Sequence, residues 1–164
     1  MQRHPWRRQR IQRRYCSFRS PGMTSAAPPA RHYFAAFPAE LENIDIVCTN
    51  IKKLLTRSGS KDILFDVELL AREALVNAIT HGSCMDKKKK VTFELRLRCD
   101  DIIMEITDAG EGFDWKEKIT KETQVTSEDD RGLPIFKHYA DEVSYNDKGN
   151  KLFMKKRINV SCRG

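Results

Sequence analysis

The sequence predicts an α/β two-layer sandwich: a mostly antiparallel mixed sheet with helices on one face. Three observations lead there. Two stretches of helical periodicity follow one another in the first half, a strictly alternating pair of strands comes next, and two more strands close the chain after a short helix. At 164 residues the chain has room for one domain with a real core and not for two ordinary ones. The expected division is an extension over 1–31, a domain over 32–160 and a short tail over 161–164.

The extension is Arg-rich and then Pro/Ala/Ser-rich ("SPGMTSAAPPA"), without apolar periodicity, and is expected to be flexible. It lacks the apolar run of a secretory signal, although its acid-free, Arg-rich start resembles an organelle transit peptide. Met23 offers an alternative start. From His32 the texture changes to "HYFAAFP", a short aromatic strand. Apolar residues Leu41, Ile44, Val47, Cys48, Ile51, Leu54 and Leu55 then mark one face of an amphipathic helix, stopped near Ser58 and Gly59. A second helix is predicted from about Ile63 to Thr80, with Asp62 as N-cap and Gly82 as C-terminal cap.

In "VTFELRLRC" the apolar residues Val91, Phe93, Leu95 and Leu97 alternate, and "DIIMEITD" follows a turn at Asp100 and Asp101. The pair reads as an antiparallel hairpin with one buried and one wet face. The Lys87–Lys90 run before it reads as a solvated turn. A polar, lid-like stretch separates Phe113 from a short helix near Pro134–Tyr139. Strands near Val143–Asn146 and Lys151–Ile158, joined by a "DKGN" turn, end the domain.

The net charge of +7 looks like a nucleic-acid signal until it is located. Arg3, Arg7, Arg8, Arg10, Arg13, Arg14 and Arg19 precede Met23 with no acid among them, and the remaining 23 basic residues balance 23 acidic ones. Nucleic acid is therefore not expected as a partner, since the case for it rests on the tail alone. No apolar run is long enough to cross a bilayer, so a soluble, cytoplasmic protein is expected. Five scattered cysteines without a C-x-x-C pair point to a reducing compartment, without a disulfide frame or zinc site.

Function enters through the second helix, "LLAREALVNAITHG". Val67, Leu70, Ala71, Ala74 and Ala78 form the stripe facing the sheet. Glu73, Asn77 and His81, four residues apart, advance along the edge of that stripe, where core meets cleft. A desolvated carboxylate there costs several kcal/mol without a partner, which a metal ion or polar ligand would supply. Singly, each of the three also fits an ordinary surface position. In "ITDAGEGFDW", Asp108 ends a hydrophobic strand and precedes Gly110 and Gly112, which allow positive φ or close approach to a planar ligand. In "DDRGLPIF", Gly132 precedes a helix opening at Pro134, an arrangement suited to phosphate.

Together, "REALVNAITHG", "DAGEGF" and "DRGLPIFKHYADEV" followed by "GNKLFMKKRI" resemble the Asn box and the two glycine boxes of the GHKL ATPases, whose nucleotide fold is the Bergerat fold. That superfamily includes DNA gyrase, heat-shock chaperones and histidine kinases. "FPAELENI" and "HYADEVSY" are similar to the small anti-sigma factor serine-protein kinases of bacteria. The resemblance implies that ATP and Mg²⁺ are bound. Asn77 would ligate Mg²⁺, Glu73 would be the general base, and Asp108 would accept from the adenine amine beside Gly110, Gly112 and Phe113. Arg131, Gly132 and Leu133 would approach the phosphates from the lid, Asn150 would help to hold the adenine, and His81 would stand behind the ligands.

By the same resemblance the substrate would be a STAS-domain anti-anti-sigma protein. An alternative sigma factor would be a second partner, and the protein would be a homodimer. Two departures favour a second possibility, a non-catalytic nucleotide-binding or sigma-sequestering module. Asp130 stands where the second glycine box usually has glycine, after Glu128 and Asp129, and Asn150 replaces the usual threonine. A histidine-kinase fragment is less expected, because no helical hairpin precedes Tyr33.

Overall fold

The computed structural model describes residues 31–98, 100–113 and 132–158. In chain order these form β1 (His32–Pro38), α1 (Glu42–Arg57), a single 3-10 turn (Lys61–Ile63) and α2 (Leu64–Asn77). A π-helical turn (Ala78–Gly82), β2 (Lys90–Leu97), β3 (Asp101–Thr107), α3 (Gly132–Tyr139), β4 (Glu142–Tyr145) and β5 (Lys151–Arg157) follow. The five strands make one sheet in the order β1-β2-β3-β5-β4, and all four pairings are antiparallel, so the described sheet is not mixed. The expected two-layer sandwich is otherwise what forms.

Strand alternation builds the sheet's inner face in two rows that cross all five strands. One row is Tyr33, Leu95, Met104, Met154 and Val143, and the next is Ala35, Phe93, Ile106, Leu152 and Tyr145. Against these rows lie Val47, Ile51 and Leu55 of α1 and Val67, Leu70, Ala71 and Ala74 of α2, all buried. Phe136 of α3 is wholly buried in the same cluster. Each large apolar side chain so buried contributes roughly 1.5–3 kcal/mol, so the sheet–helix interface dominates stability.

The opposite sheet face is charged. Arg96 pairs with Glu105 at 2.8 Å, Lys151 with Glu105 at 3.3 Å and Lys155 with Glu142 at 3.0 Å. Each pair keeps one partner exposed to solvent, so it adds little stability and mainly keeps that face wet. Among the described residues no helix is long and apolar enough to cross a membrane.

α1 ends as its sequence anticipates, with Ser58 donating its backbone N–H to Leu54 and Gly59 at φ +75°. Leu41, expected on the apolar face, instead precedes the helix and is exposed. α2 differs at both ends from the expected Ile63–Thr80 helix. Asp62 lies inside the 3-10 turn, and no side chain caps the helix. At the other end the helix does not stop on a left-handed Gly82. It widens after Asn77 into the π turn, where Ser83 N–H bonds to the Ala78 carbonyl at 2.8 Å. Positive φ appears later, at Cys84 and Met85.

Candidate functional site

The polar seam of α2 is assembled as its spacing predicts, but only in part. Glu73 and Asn77 are one turn apart, and both are partly buried. Neither side chain makes a hydrogen bond or ion pair among the described residues. His81 leaves the line: in the wider π turn a four-residue step falls short of a full turn instead of overshooting it, and the residue is exposed.

The π turn delivers Gly82 to the other half of the site. A Cβ on Gly82 would meet the Asp108 carboxyl carbon and stand 2.6 Å from both carboxylate oxygens. Gly82 is thus required for close approach, not for a helix cap. A Cβ on Gly110 would meet the Gly82 carbonyl oxygen and lie 2.8 Å from Asp108 Oδ1. Gly82, Asp108 and Gly110 are therefore one packing unit, formed where α2 and β3 end side by side.

Asp108 is held tightly for a residue just beyond a strand. Its N–H donates to the Asn150 carbonyl at 3.0 Å, and its Oδ1 accepts the Gly110 N–H at 2.7 Å. The latter closes an Asx-type turn that fixes the carboxylate. Oδ2 accepts no hydrogen bond among the described residues. Asn150 Nδ2 donates to the Asp108 carbonyl at 3.2 Å. Gly112, at φ +81°, runs beneath the Lys148 carbonyl, and Phe113 beyond it is 41% exposed. The Phe113 ring stands edge-on to Tyr145, with centroids 5.1 Å apart.

Burial pushes the Asp108 carboxyl above its ordinary value, against the lowering effects of the Gly110 N–H and, more weakly, Lys148 and Lys89. A carboxyl whose folded pKa is raised stabilises the fold below its unfolded pKa and loses that contribution as pH rises through the folded pKa. Asp108→Asn keeps an oxygen for Gly110 and removes the partly buried charge. It should raise the melting temperature at neutral pH, and the gain should vanish below the ordinary value near 3.8. A difference in melting temperature that stays constant from acid to neutral pH would contradict this account.

Among the described residues no three His, Cys, Asp or Glu side chains gather as metal ligands. The amide oxygen of Asn77 is a hard donor of the kind that Mg²⁺ takes when water and phosphate oxygens complete its shell. Asn77, Glu73 and Asp108 Oδ2, without partners among the described residues, and the glycine-lined contact beside the acid fit a Mg²⁺–nucleotide. Gly132 and Leu133 open α3. Arg131, Asp130, Asp129 and Glu128 lie outside the described residues.

Two contributors escaped sequence reasoning. Gly82 looks like a cap in the sequence, and Asn146, which bonds to Asn150, carries no signal there beyond its place at the end of a predicted strand. Among the curated proteins none matches the chain. The model of the histidine kinase-like ATPase domain family matches residues 37–156, from the end of β1 into β5, and so spans the α2 seam and the Asp108 turn. With that match over most of its length, on a five-stranded antiparallel sheet backed by helices, the chain belongs to the histidine kinase-like ATPase domain family.

Proposed function

We propose that this ATP-binding domain is a serine/threonine-protein kinase that phosphorylates a STAS-domain anti-anti-sigma protein and alternately sequesters an alternative sigma factor. The observation that carries the reading is the pair Glu73 and Asn77, partly buried on one helix edge and without side-chain partners among the described residues. Two such groups are suited to ligands that arrive with substrate.

In this reading Asn77 supplies an oxygen to Mg²⁺, which when bound neutralises phosphate charge. Glu73, one turn earlier, accepts the proton of the attacking hydroxyl and orients it toward the γ-phosphate. Asp108 Oδ2 accepts from the adenine amine, and Gly110 and Gly112 let the backbone pass close to the ring. Phe113 covers the base on its apolar side. Arg131, Gly132 and Leu133 are assigned to the phosphates. The product phosphate brings about −1.5 to −2 charges to the STAS surface, which weakens that complex and frees the kinase for the sigma factor. A homodimer in the cytoplasm is part of the same proposal.

The run Glu128, Asp129, Asp130 favours one alternative, a module that binds nucleotide or sigma factor without transfer. Three carboxylates near a polyphosphate repel it unless a cation intervenes. Incubation with Mg²⁺–ATP and the cognate STAS protein separates the two. Stoichiometric phosphoserine or phosphothreonine is the expected result, whereas tight ATP binding with no phosphoprotein would establish the module.

A further inference from the structure

Asp108 is the group proposed to read the purine, yet little of its own strand holds it. β3 ends at Thr107, and both backbone polar groups of Asp108 are satisfied by a residue 42 positions away. Asn150 accepts the Asp108 N–H with its backbone carbonyl and donates its side-chain amide to the Asp108 carbonyl. One residue thus fixes the peptide planes on either side of the acid.

The Asn150 carboxamide is in turn oriented by Asn146. Asn146 Nδ2 donates to Asn150 Oδ1 at 2.9 Å, while Asn146 Oδ1 accepts the N–H groups of Asn150 at 3.0 Å and Lys151 at 3.1 Å. Gly149 N–H closes the turn onto the Asn146 carbonyl at 3.0 Å. Rotating the Asn150 amide by half a turn would set its oxygen against the Asp108 carbonyl and its NH₂ against the Asn146 NH₂. Both contacts are repulsive, so only one orientation is stable.

We propose that Asn146 and Asn150 are positioning residues that clasp Asp108 and thereby set the site's preference for a purine with an amine at position 6. The proposal rests on the ATP-binding reading above. Gly110 occupies Oδ1, which leaves Oδ2 as the acceptor for ligand. A single fixed acceptor matches the amine of adenine and repels the carbonyl oxygen that hypoxanthine presents there. Loosening the clasp lets the carboxylate swing, so discrimination is lost before general affinity.

The test is calorimetric titration of the full chain with Mg²⁺–ATP and with Mg²⁺–ITP, together with amide hydrogen exchange in the absence of nucleotide. In Asn146→Ala and Asn150→Ala the ratio of ATP to ITP affinity should fall about tenfold, the scale of one hydrogen bond to a charged group. In Asn146→Ala ITP affinity should be nearly unchanged, and in both variants exchange at the Asp108 and Gly110 amides should accelerate. Asn146→Asp keeps the two acceptor bonds but turns a carboxylate oxygen toward Asn150 Oδ1, which drives the Asn150 amide to flip away from the Asp108 carbonyl, so it should lower the ratio at least as far as alanine does; it also carries the test if the alanine variants do not fold. Equal weakening of both nucleotides, or a ratio unchanged from wild type, would overturn the proposal. If the wild type binds no ATP, the nucleotide reading fails, and unaltered exchange at Asp108 and Gly110 in the variants would separately refute the clasp.

Discussion

Glu73→Gln should lower phosphate transfer to the proposed STAS substrate about 100- to 10,000-fold, the usual worth of a general base, with ATP affinity within roughly threefold of wild type. Glutamine has nearly the volume of glutamate and keeps the polar end, but it cannot take a proton from an attacking hydroxyl. Glu73 makes no side-chain hydrogen bond or ion pair among the described residues, so the exchange leaves no partner stranded and the melting temperature should barely move. Binding should be preserved or slightly tightened, because one negative charge leaves the neighbourhood of the phosphates. Single-turnover transfer and nucleotide titration on the same preparation measure both quantities. Transfer within tenfold of wild type would remove Glu73 from the chemistry.

The neighbouring substitution gives a contrasting pattern. Asn77→Ala should weaken Mg²⁺-dependent nucleotide binding itself, since the amide oxygen is assigned to the ion rather than to the proton. The two residues share a helix edge and a turn spacing, yet the first should appear in the rate and the second in affinity. That division is what separates a base from a ligand, and helical position alone could not have supplied it.

How much of this was legible depends on the period of the signal. The α2 stripe was readable because Val67, Leu70, Ala71, Ala74 and Ala78 recur at helical spacing, and all five are buried. The β2–β3 hairpin was readable because only one sheet face is covered, which forces the alternation Val91, Phe93, Leu95, Leu97. The π turn has no sequence period of its own, so helical spacing runs through it and sets His81 in line with Glu73 and Asn77. Gly82 misled for a related reason: a glycine needed for positive φ and one needed for contact look the same in a sequence. Asn150 was expected near the adenine, but its bonds to Asp108 depend on β3 and β5 being neighbours, and no local pattern records that pairing.

Gly82→Ala turns that ambiguity into an experiment. If Gly82 were a helix cap, alanine would cost stability and little else. Its φ is not positive, however, and alanine is favoured over glycine inside a helix by about 1 kcal/mol, so the backbone should accept the change. The added Cβ would instead stand 2.6 Å from both oxygens of Asp108, which is too close for either to remain. The carboxylate is only one bond from its own Cβ and must rotate away, breaking the 2.7 Å bond from Gly110 N–H. ATP affinity should then fall about 10- to 100-fold, the equivalent of one lost charge-assisted hydrogen bond, with the fold intact by circular dichroism. Gly59→Ala supplies the opposite control. Gly59 has φ +75° and open space around its missing Cβ, so alanine there should cost roughly 1–2 kcal/mol of stability and leave nucleotide affinity unchanged. Were Gly82→Ala to bind ATP as wild type does, the contact between the end of α2 and the strand-terminal acid could not be what shapes the base pocket.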